Sequence, residues 1–378
     1  MYLLRYSVKK SPERLTMPDT IPTLITFDDV LIVPQGSDVE PTEADTSSYV
    51  SKNVKIDIPI VSSPMDRVTE TAMAIALALA GGIGIIHRNM PLEAEVSMVR
   101  EVKSYSSPLT PNPLPLKVGA AIGPFDLERA QALDAEGVDV VVIDCAHGHN
   151  LNVVESARKI KKAIKADLVV GNIATAEAAE ALCEFADGLR VGIGPGATCT
   201  TRIITGVGVP QLSAIMETSK IAHKHNVPVI ADGGIQYSGD IVKALGAGAS
   251  TIMNGSLLAG TDEAPGEVVT MGGNKYKTYR GMGSLGAITG TDRYGQNNQR
   301  EKVVPEGIEG VVAYRGAVED ILTQLVGGLR GGMGYIGAHT IPEMHEKTKF
   351  VRLTTSGMHE SHPHTMIQTK DQPNYFMK

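Results

Sequence analysis

The stretch that decides the fold runs from residue 139 to residue 172 and reads DVVVIDCAHGHNLNVVESARKIKKAIKADLVVGN. It contains two runs of β-branched residues, Asp139–Cys145 and Asp167–Asn172. Between them lies Leu151–Ile164, whose apolar residues recur at every third or fourth position, as on one face of a helix. Strands that are apolar on both faces and joined by a single helix pair in parallel. The stretch therefore predicts a β-α-β unit.

The same alternation extends on both sides of this unit. Three more helices are predicted, at Asp126–Glu136, Ala176–Phe185 and Tyr237–Leu245. Six more strands are predicted, at Ile58–Ser63, Gly82–His87, Val118–Gly123, Gly188–Gly194, Pro228–Gly234 and Ser250–Ser256. Eight strands separated by helices are typical of a closed (β/α)8 barrel, the TIM barrel of the α/β class. An open, doubly wound sheet is the alternative, because a count of strands does not show closure.

The regions outside the β-α alternation are assigned to the same domain. We expect one domain over residues 1–378, with its core strands and helices at about 58–345. The stretch from Gly272 to Gly316 is rich in glycine and too long for an ordinary connection, so it predicts an extended lid loop after the eighth strand. A tail rich in His, Thr and Pro runs from about residue 352 to residue 378.

Composition and charge exclude several classes of function. There are 35 Lys and Arg residues against 42 Asp and Glu residues, a net charge of −7, which argues against a nucleic-acid-binding surface. The longest apolar run, Ala72–Ile86, is shorter than the roughly 18–20 residues that cross a bilayer. The first residues lack the apolar segment of a signal peptide. We therefore expect a cytoplasmic enzyme that does not associate with membranes.

The most informative loop follows the sixth predicted strand. It reads Gly194-Pro-Gly-Ala-Thr-Cys-Thr-Thr-Arg202 and delivers Cys199 to the rim where barrel enzymes place their sites. The three cysteines of the chain show no zinc or disulfide spacing, so a reactive thiol is expected here. A thiol beside positive charge is a candidate nucleophile, although an inert core cysteine is the alternative.

The loops after the seventh and eighth strands suggest a phosphate site. Asp232-Gly233-Gly234 and Gly255-Ser256 occupy the positions where barrels commonly bind phosphate through loop amides. A carboxylate repels phosphate, so Asp232 is expected to hold sugar hydroxyls, or alternatively to cap the helix that begins near Tyr237. The residues alone predict a barrel enzyme for a phosphorylated, ribose-bearing ligand.

At this point the motifs become specific for one family. The chain resembles the IMP dehydrogenase/GMP reductase family, and its dehydrogenases more than its reductases. The resemblance is carried by the cysteine loop and by TFDDVL (26–31), TGVGVPQ (205–211), YRGMGS (279–284), DRY (292–294) and ESHPH (360–364). It covers nearly all of the chain.

The resemblance implies a covalent reaction in guanine nucleotide synthesis. Cys199 would attack C2 of IMP while hydride leaves for NAD, and the thioimidate would then be hydrolysed to XMP. In the family the arginine and tyrosine matching Arg293 and Tyr294 activate water, and Thr201 with Glu306 offers a second route for the proton. The implied catalytic residues are thus Cys199, Thr201, Arg293, Tyr294 and Glu306.

The resemblance also implies three sets of binding residues. IMP would be held by Ser63, Met65, Asp232, Gly234, Gly255, Ser256, Tyr279, Met282, Gly283 and Glu306. NAD would lie against Asp144, Cys145, Asn172, Arg190, Gly192 and Gly194. A monovalent cation, usually K⁺, would be bound by Gly194, Gly196 and Cys199 together with Glu360, Ser361 and His362 from a neighbouring subunit, which implies a homotetramer. Without the resemblance, zinc at His359, His362 and His364 beside Glu360 would be an alternative, although the spacing fits no strong zinc pattern.

The chain departs from the family pattern in several places. Most family dehydrogenases carry CBS modules between the second barrel helix and the third strand, whereas here only residues 104–115 lie there, so no CBS domain is expected. Ala197 and Cys145 stand where serines are usual, and Gly295 stands where phenylalanine is usual. Two alternatives stay open: a GMP reductase that uses NADPH to deaminate GMP to IMP, and a purine-nucleotide-binding barrel without catalysis.

Overall fold

The centre of the computed structural model, which describes residues 21–106, 115–289, 304–363, 365 and 375, is a closed barrel of eight parallel strands. Within these residues the strands are, in chain order, β1 (Val30–Ile32), β2 (Ser48–Ser51), β3 (Val54–Ile56), β4 (Ile60–Ser62), β5 (Ile83–Ile86), β6 (Val118–Ile122), β7 (Val140–Asp144), β8 (Asp167–Ile173), β9 (Gly188–Val191), β10 (Val229–Asp232), β11 (Thr251–Asn254), β12 (Val268–Met271), β13 (Asn274–Arg280), β14 (Glu309–Ala313) and β15 (Phe350–Arg352).

Strands β4 to β11 form the barrel in chain order, and β11 closes it by pairing with β4, Ile252 opposite Ile60. The (β/α)8 prediction is therefore confirmed, and the open sheet is wrong. All eight predicted strands are present. Seven are one to three residues shorter than predicted, mainly because the polar and glycine residues at their carboxyl ends already belong to the loops; β8 instead extends one residue further, to Ile173.

Helices follow the strands as the apolar periodicity predicts. They are α1 (Thr71–Leu79), α2 (Leu92–Ser104), α3 (Leu127–Ala135), α4 (Leu151–Ala163), α5 (Ala176–Cys183), α6 (Thr201–Thr205), α7 (Gln211–Ala222), α8 (Ser238–Gly246), α9 (Leu285–Thr289), α10 (Val318–Ile336), α11 (Ile341–Lys347) and α12 (Thr355–Glu360), with 3-10 turns at Phe27–Asp29 and His223–His225. Side-chain caps set three of the predicted starts: Asp126, Asn150 and Thr175 each accept a backbone N–H of the first turn. In the described parts of the chain, no helix is long and apolar enough to cross a membrane.

The barrel interior is filled by aliphatic side chains, so a ligand site has to lie at one of its two ends. Ile85, Val142 and Ile230 are fully buried inside it. At the amino ends of the strands, the hairpin β2–β3 contributes Val50 and Ile56 to the same cluster. This end is therefore closed by packed side chains in the described part of the chain, and the carboxyl ends of the strands face an open cleft.

The stretch from Gly272 to Gly316 is not simply a long loop. Strands β12, β13 and β14 form a three-stranded antiparallel sheet, in which Tyr279 pairs with Gly310. Gly272 and Gly273, with φ of 58° and 84°, form the two-residue turn between β12 and β13. These residues thus form strands where an extended loop was expected, and the missed signal is this Gly-Gly turn beside alternating residues; that the segment acts as a lid stays a prediction. Residues 290–303 lie outside the described part.

The two ends of the described chain are joined. Strand β15 pairs antiparallel with β1, Val351 opposite Leu31, and places the tail beside the barrel. After α12, His362 Nδ1 lies 3.1 Å from the Tyr375 hydroxyl. Both rings pack against Tyr237, at the start of α8.

Candidate active site

A cleft of about 1880 Å³ opens at the carboxyl ends of the barrel strands. It brings together nearly all of the residues expected from the sequence: Ser63, Met65, Asp144, Cys145, Asn172, Arg190, Gly192, Gly194, Gly196, Cys199, Thr201, Asp232, Gly234, Gly255, Ser256, Tyr279, Met282, Gly283 and Glu306. Two expected catalytic residues, Arg293 and Tyr294, lie outside the described residues. Glu360, Ser361 and His362 are not among the residues that line the cleft.

The cysteine loop is held by tight backbone packing. Gly194 has φ of 84°, and a Cβ there would lie 2.5 Å from Arg202 Cγ. The same carbon of Arg202 excludes a side chain at Gly208. The Arg202 guanidinium donates to the carbonyls of Ile193 and Val209. Because these two glycines have no side chains, Arg202 can pack against the loop and hydrogen-bond to its carbonyls.

Cys199 begins a short chain of hydrogen bonds. Its Sγ donates to Thr201 Oγ1 at 3.2 Å, and Thr201 Oγ1 donates to Glu306 Oε2 at 2.8 Å. The backbone fixes this alignment, because Thr200 N–H donates to the Glu306 carbonyl at 2.9 Å and Cys199 forms a bridge with Gly307. A thiol, a hydroxyl and a carboxylate in this order can move a proton away from the sulfur.

A buried ionic network lines the neighbouring wall. Arg190 Nε donates to Asp232 Oδ2 at 2.8 Å and its Nη1 to Asp144 Oδ1 at 2.9 Å. Although burial lowers the pKa of Arg190, the two carboxylates outweigh it and raise that pKa. Asn172 Nδ2 also donates to Asp232 Oδ2 at 2.8 Å, so charged and amide groups from the ends of four strands are held in one arrangement. The helix-cap alternative for Asp232 is wrong: Asp240 accepts the backbone N–H groups at the start of α8.

The opposite wall has the features of a phosphate cradle. The Tyr279 hydroxyl lies 3.6 Å from Met65 Sδ, and burial raises the pKa of this tyrosine to about 12, so it remains a hydrogen-bond donor. A Cβ at Gly255 would lie 2.9 Å from Met65 Sδ and 3.0 Å from the Tyr279 hydroxyl. Nearby, Glu306 N–H donates to the Gly283 carbonyl at 3.0 Å, which holds the backbone at residue 306 against the loop after β13.

The thiols of the other two cysteines are not activated. Cys145 Sγ donates to the Gly171 carbonyl at 3.2 Å, and burial, with the nearby charge of Asp144, raises the pKa of its thiol to about 11. Cys183 is buried in α5, and burial raises its pKa to about 11 as well. Both thiols therefore stay protonated near neutral pH.

Sequence reasoning missed several residues that shape the cleft. Arg88 donates to the Asp144 carbonyl at 3.0 Å. Gln211 Nε2 donates to the carbonyls of Val191 and Asp232 at 2.9 and 3.1 Å and so joins the ends of β9 and β10. Arg88 directly follows the second predicted strand, and this position at a strand end could have indicated that it lies at the site. Gln211 ends the TGVGVPQ motif (205–211), but nothing in that motif predicts its contacts with β9 and β10.

Histidines of the tail do not form a metal centre in the described residues. No group of three or more His, Cys, Asp or Glu side chains there is arranged to hold a metal ion. Ser361 Oγ donates to the Gly357 carbonyl within α12, and His362 packs on Tyr237. His364 lies outside the described part of the chain.

The fold and the cleft together define a (β/α)8-barrel enzyme with a cysteine at its strand ends. Residues 24–364 match the IMP dehydrogenase / GMP reductase domain, and the chain belongs to this family.

Relatives in the family cover almost the whole chain. An inosine-5'-monophosphate dehydrogenase from Cryptosporidium parvum is 48% identical over 93% of this chain and 97% of that protein. Proteins of the same name from Aquifex aeolicus and Halobacterium salinarum are 42% and 39% identical, over 93% and 94% of this chain and 98% and 96% of their own lengths.

Proposed function

We propose that this protein oxidises IMP to XMP, with NAD as the hydride acceptor and Cys199 as the nucleophile. The observation that carries the proposal is the alignment of Cys199, Thr201 and Glu306 in the cleft, at 3.2 and 2.8 Å. The relatives support the same reaction, since three at 39–48% identity are named inosine-5'-monophosphate dehydrogenase.

The residues present fit a two-step reaction. The thiol proton passes to Thr201 and Glu306 as Cys199 Sγ bonds to C2 of IMP; bound NAD supplies the acceptor for the hydride that leaves C2. In the second step water adds to C2, the C–S bond breaks, and XMP and the free thiol are released. Between the two steps Glu306 releases the thiol proton to solvent. It then accepts one proton from the attacking water through Thr201 and returns it to the departing sulfur, while the other hydrogen of the water moves from oxygen to a ring nitrogen as the C2 carbonyl of XMP forms. Arg293 and Tyr294 are assigned to this hydrolytic step.

The walls of the cleft divide the ligands. Tyr279, Gly255 and Ser256 suit the phosphate, because one hydroxyl and a side-chain-free backbone face the same space. Asp232, beside Gly234, suits the ribose hydroxyls. Arg190, Asn172 and Asp144 belong to the wall expected for nicotinamide. Arg190 donates to Asp144 there, and Asn172 donates to Asp232, so the amide and carboxylate groups are fixed.

The proposal includes a K⁺ ion bound by the carbonyls of Gly194, Gly196 and Cys199. Carbonyl oxygens suit a hard monovalent cation, and the loop that carries them is tightly turned, since Cys199 N–H donates to the Gly196 carbonyl at 3.0 Å. We assign Glu360, Ser361 and His362 of a neighbouring subunit to the same site, in a homotetramer. Analytical ultracentrifugation tests this assembly.

We also infer that no CBS domain is inserted between α2 and β6. The link between α2 and β6 is short, and the alignment with the Aquifex relative spans 479 positions, about a hundred more than the 378 residues here. The alignment with the Cryptosporidium relative spans only 389. Cytoplasmic location stays a prediction.

The decisive experiment is a spectrophotometric assay with IMP, NAD and K⁺. NADH should form with the wild type, not at all with Cys199→Ala, and as a burst followed by slow turnover with Arg293→Ala. GMP-dependent oxidation of NADPH without NADH formation from IMP would select the reductase instead. Failure of a 6-chloropurine ribotide to label Cys199 would point to a binding protein.

A further inference from the structure

The carboxylate of Asp66 joins three separate segments at the rim of the cleft. Asp66 follows β4 and is 8% exposed. Arg280 Nε, at the end of β13, lies 3.1 Å from both of its oxygens, and Asn89 Nδ2, after β5, donates to Oδ2 at 2.8 Å. Although burial raises the pKa of Asp66, these hydrogen bonds outweigh it and hold the pKa below its usual value. The pair is therefore ionic.

The residues beside this ion pair are those that face the substrate. Met65 directly precedes Asp66, and Tyr279 directly precedes Arg280; the Tyr279 hydroxyl and Met65 Sδ are 3.6 Å apart. Two consecutive contacts thus connect β13 to the loop after β4. The chain then continues from Arg280 into residues 281–283, which line the cleft.

Two further contacts keep the ion pair in place. Across the small sheet, Arg280 pairs in register with Glu309 of β14, whose negative charge also raises the pKa of Arg280. On the barrel side, Asn89 N–H donates to His87 Nδ1 at 3.0 Å and holds the loop after β5. Arg280 and Asp66 are thus each held in position by a further neighbour, Glu309 for the arginine and Asn89 for the aspartate.

We propose that Asp66 is a positioning residue for IMP, acting through Arg280 to hold Tyr279 and residues 281–283 against the barrel. This inference rests on the proposed function. Neither charged group belongs to the relay of Cys199, Thr201 and Glu306. Breaking the pair should therefore weaken IMP binding and leave the chemical step nearly intact.

The test measures steady-state kinetics for Asp66→Asn, Arg280→Lys and the double variant. Asp66→Asn should raise KM for IMP about tenfold, while kcat and KM for NAD stay within about threefold. Arg280→Lys keeps the charge but loses the planar fork, so KM for IMP should rise here too. The double variant should be no worse than the poorer single variant, because both substitutions break one contact.

Asp139→Asn is the matched control. Asp139 pairs with Lys103 at 2.7 Å and accepts the Val118 N–H, at the opposite end of the barrel. The Asp139→Asn variant should have a lower thermal midpoint and an unchanged KM for IMP. An equal rise in KM for this control would overturn the proposal, as would a wild-type KM in an active Arg280→Lys enzyme. Wild-type protein that forms no NADH from IMP would refute the proposed function itself.

Discussion

Replacing Arg190 with methionine should destabilise the protein and weaken NAD binding together. The side chain is 8% exposed and pairs with Asp232 at 2.8 Å and Asp144 at 2.9 Å. Removing one partner of a buried pair costs about 3–5 kcal/mol, because it leaves a buried charge uncompensated. The cost is not doubled here, since Arg88 stays 3.5 Å from Asp144 and Asn172 keeps its bond to Asp232.

The lost free energy of unfolding can be measured as a shift of the thermal midpoint. The unfolding entropy scales with chain length, so about 3–5 kcal/mol in a chain of 378 residues lowers the midpoint by roughly 4–6 °C. Scanning calorimetry should show this shift for Arg190→Met and a smaller one for Arg190→Lys. The kinetic assay should show a raised KM for NAD, because the carboxylate and amide groups of that wall lose their fixed positions.

Arg100→Met is the comparison that isolates burial. Arg100 makes an equally short pair with Glu136, at 2.7 Å, but its side chain is 61% exposed. Solvent screening weakens such an exposed pair, so the midpoint should move much less than for Arg190→Met. Equal shifts for the two variants would refute the reasoning, as would an unchanged midpoint for Arg190→Met.

Three further substitutions test other parts of the site and core. Tyr279→Phe removes a hydroxyl assigned to phosphate, which is worth about 1.5–3 kcal/mol, so KM for IMP should rise roughly 10- to 150-fold; no change would remove it from the cradle. Gly255→Ala places a Cβ 2.9 Å from Met65 Sδ, and the folded protein should show weaker IMP binding by calorimetry; wild-type affinity would count against this site. Burial raises the pKa of Glu95 to about 8 against the attraction of Arg129, so wild type should lose stability as pH rises from about 4.5 to 8, on the order of 3 kcal/mol, whereas Glu95→Gln should lack that slope. If the urea midpoint changed equally between pH 5 and pH 8 in wild type and in Glu95→Gln, this prediction would be contradicted.

The barrel was predictable from the sequence because its strands are buried on both faces. Such strands appear as short β-branched runs between amphipathic stretches, as at Val140–Asp144. The small sheet was harder, because β14 is largely exposed and has no buried face to impose alternation. Its neighbour β13 was not predicted, because the glycines on either side of it make the whole segment resemble a loop.

The residues of the site were easier to predict than their connections. Strand ends place Asp144, Arg190 and Asp232 on one rim, but nothing in their spacing shows that the arginine lies between the two carboxylates. The contact of Thr201 with Glu306 crosses more than a hundred residues and was available only through the family resemblance. The pair of Asp66 and Arg280 carried no signal, because its two partners lie in segments that only the fold brings together.

Closure of the barrel by β11 and β4 also governs how the chain can be made. The two strands are about 190 residues apart in sequence, with Ile252 opposite Ile60. At roughly 5–20 residues per second, a ribosome needs about 10–40 s to deliver the second after the first has emerged. Throughout that interval the backbone N–H and C=O groups on this edge of β4 have no partner strand. Nascent chains should therefore depend on chaperones until the eighth barrel strand is synthesised.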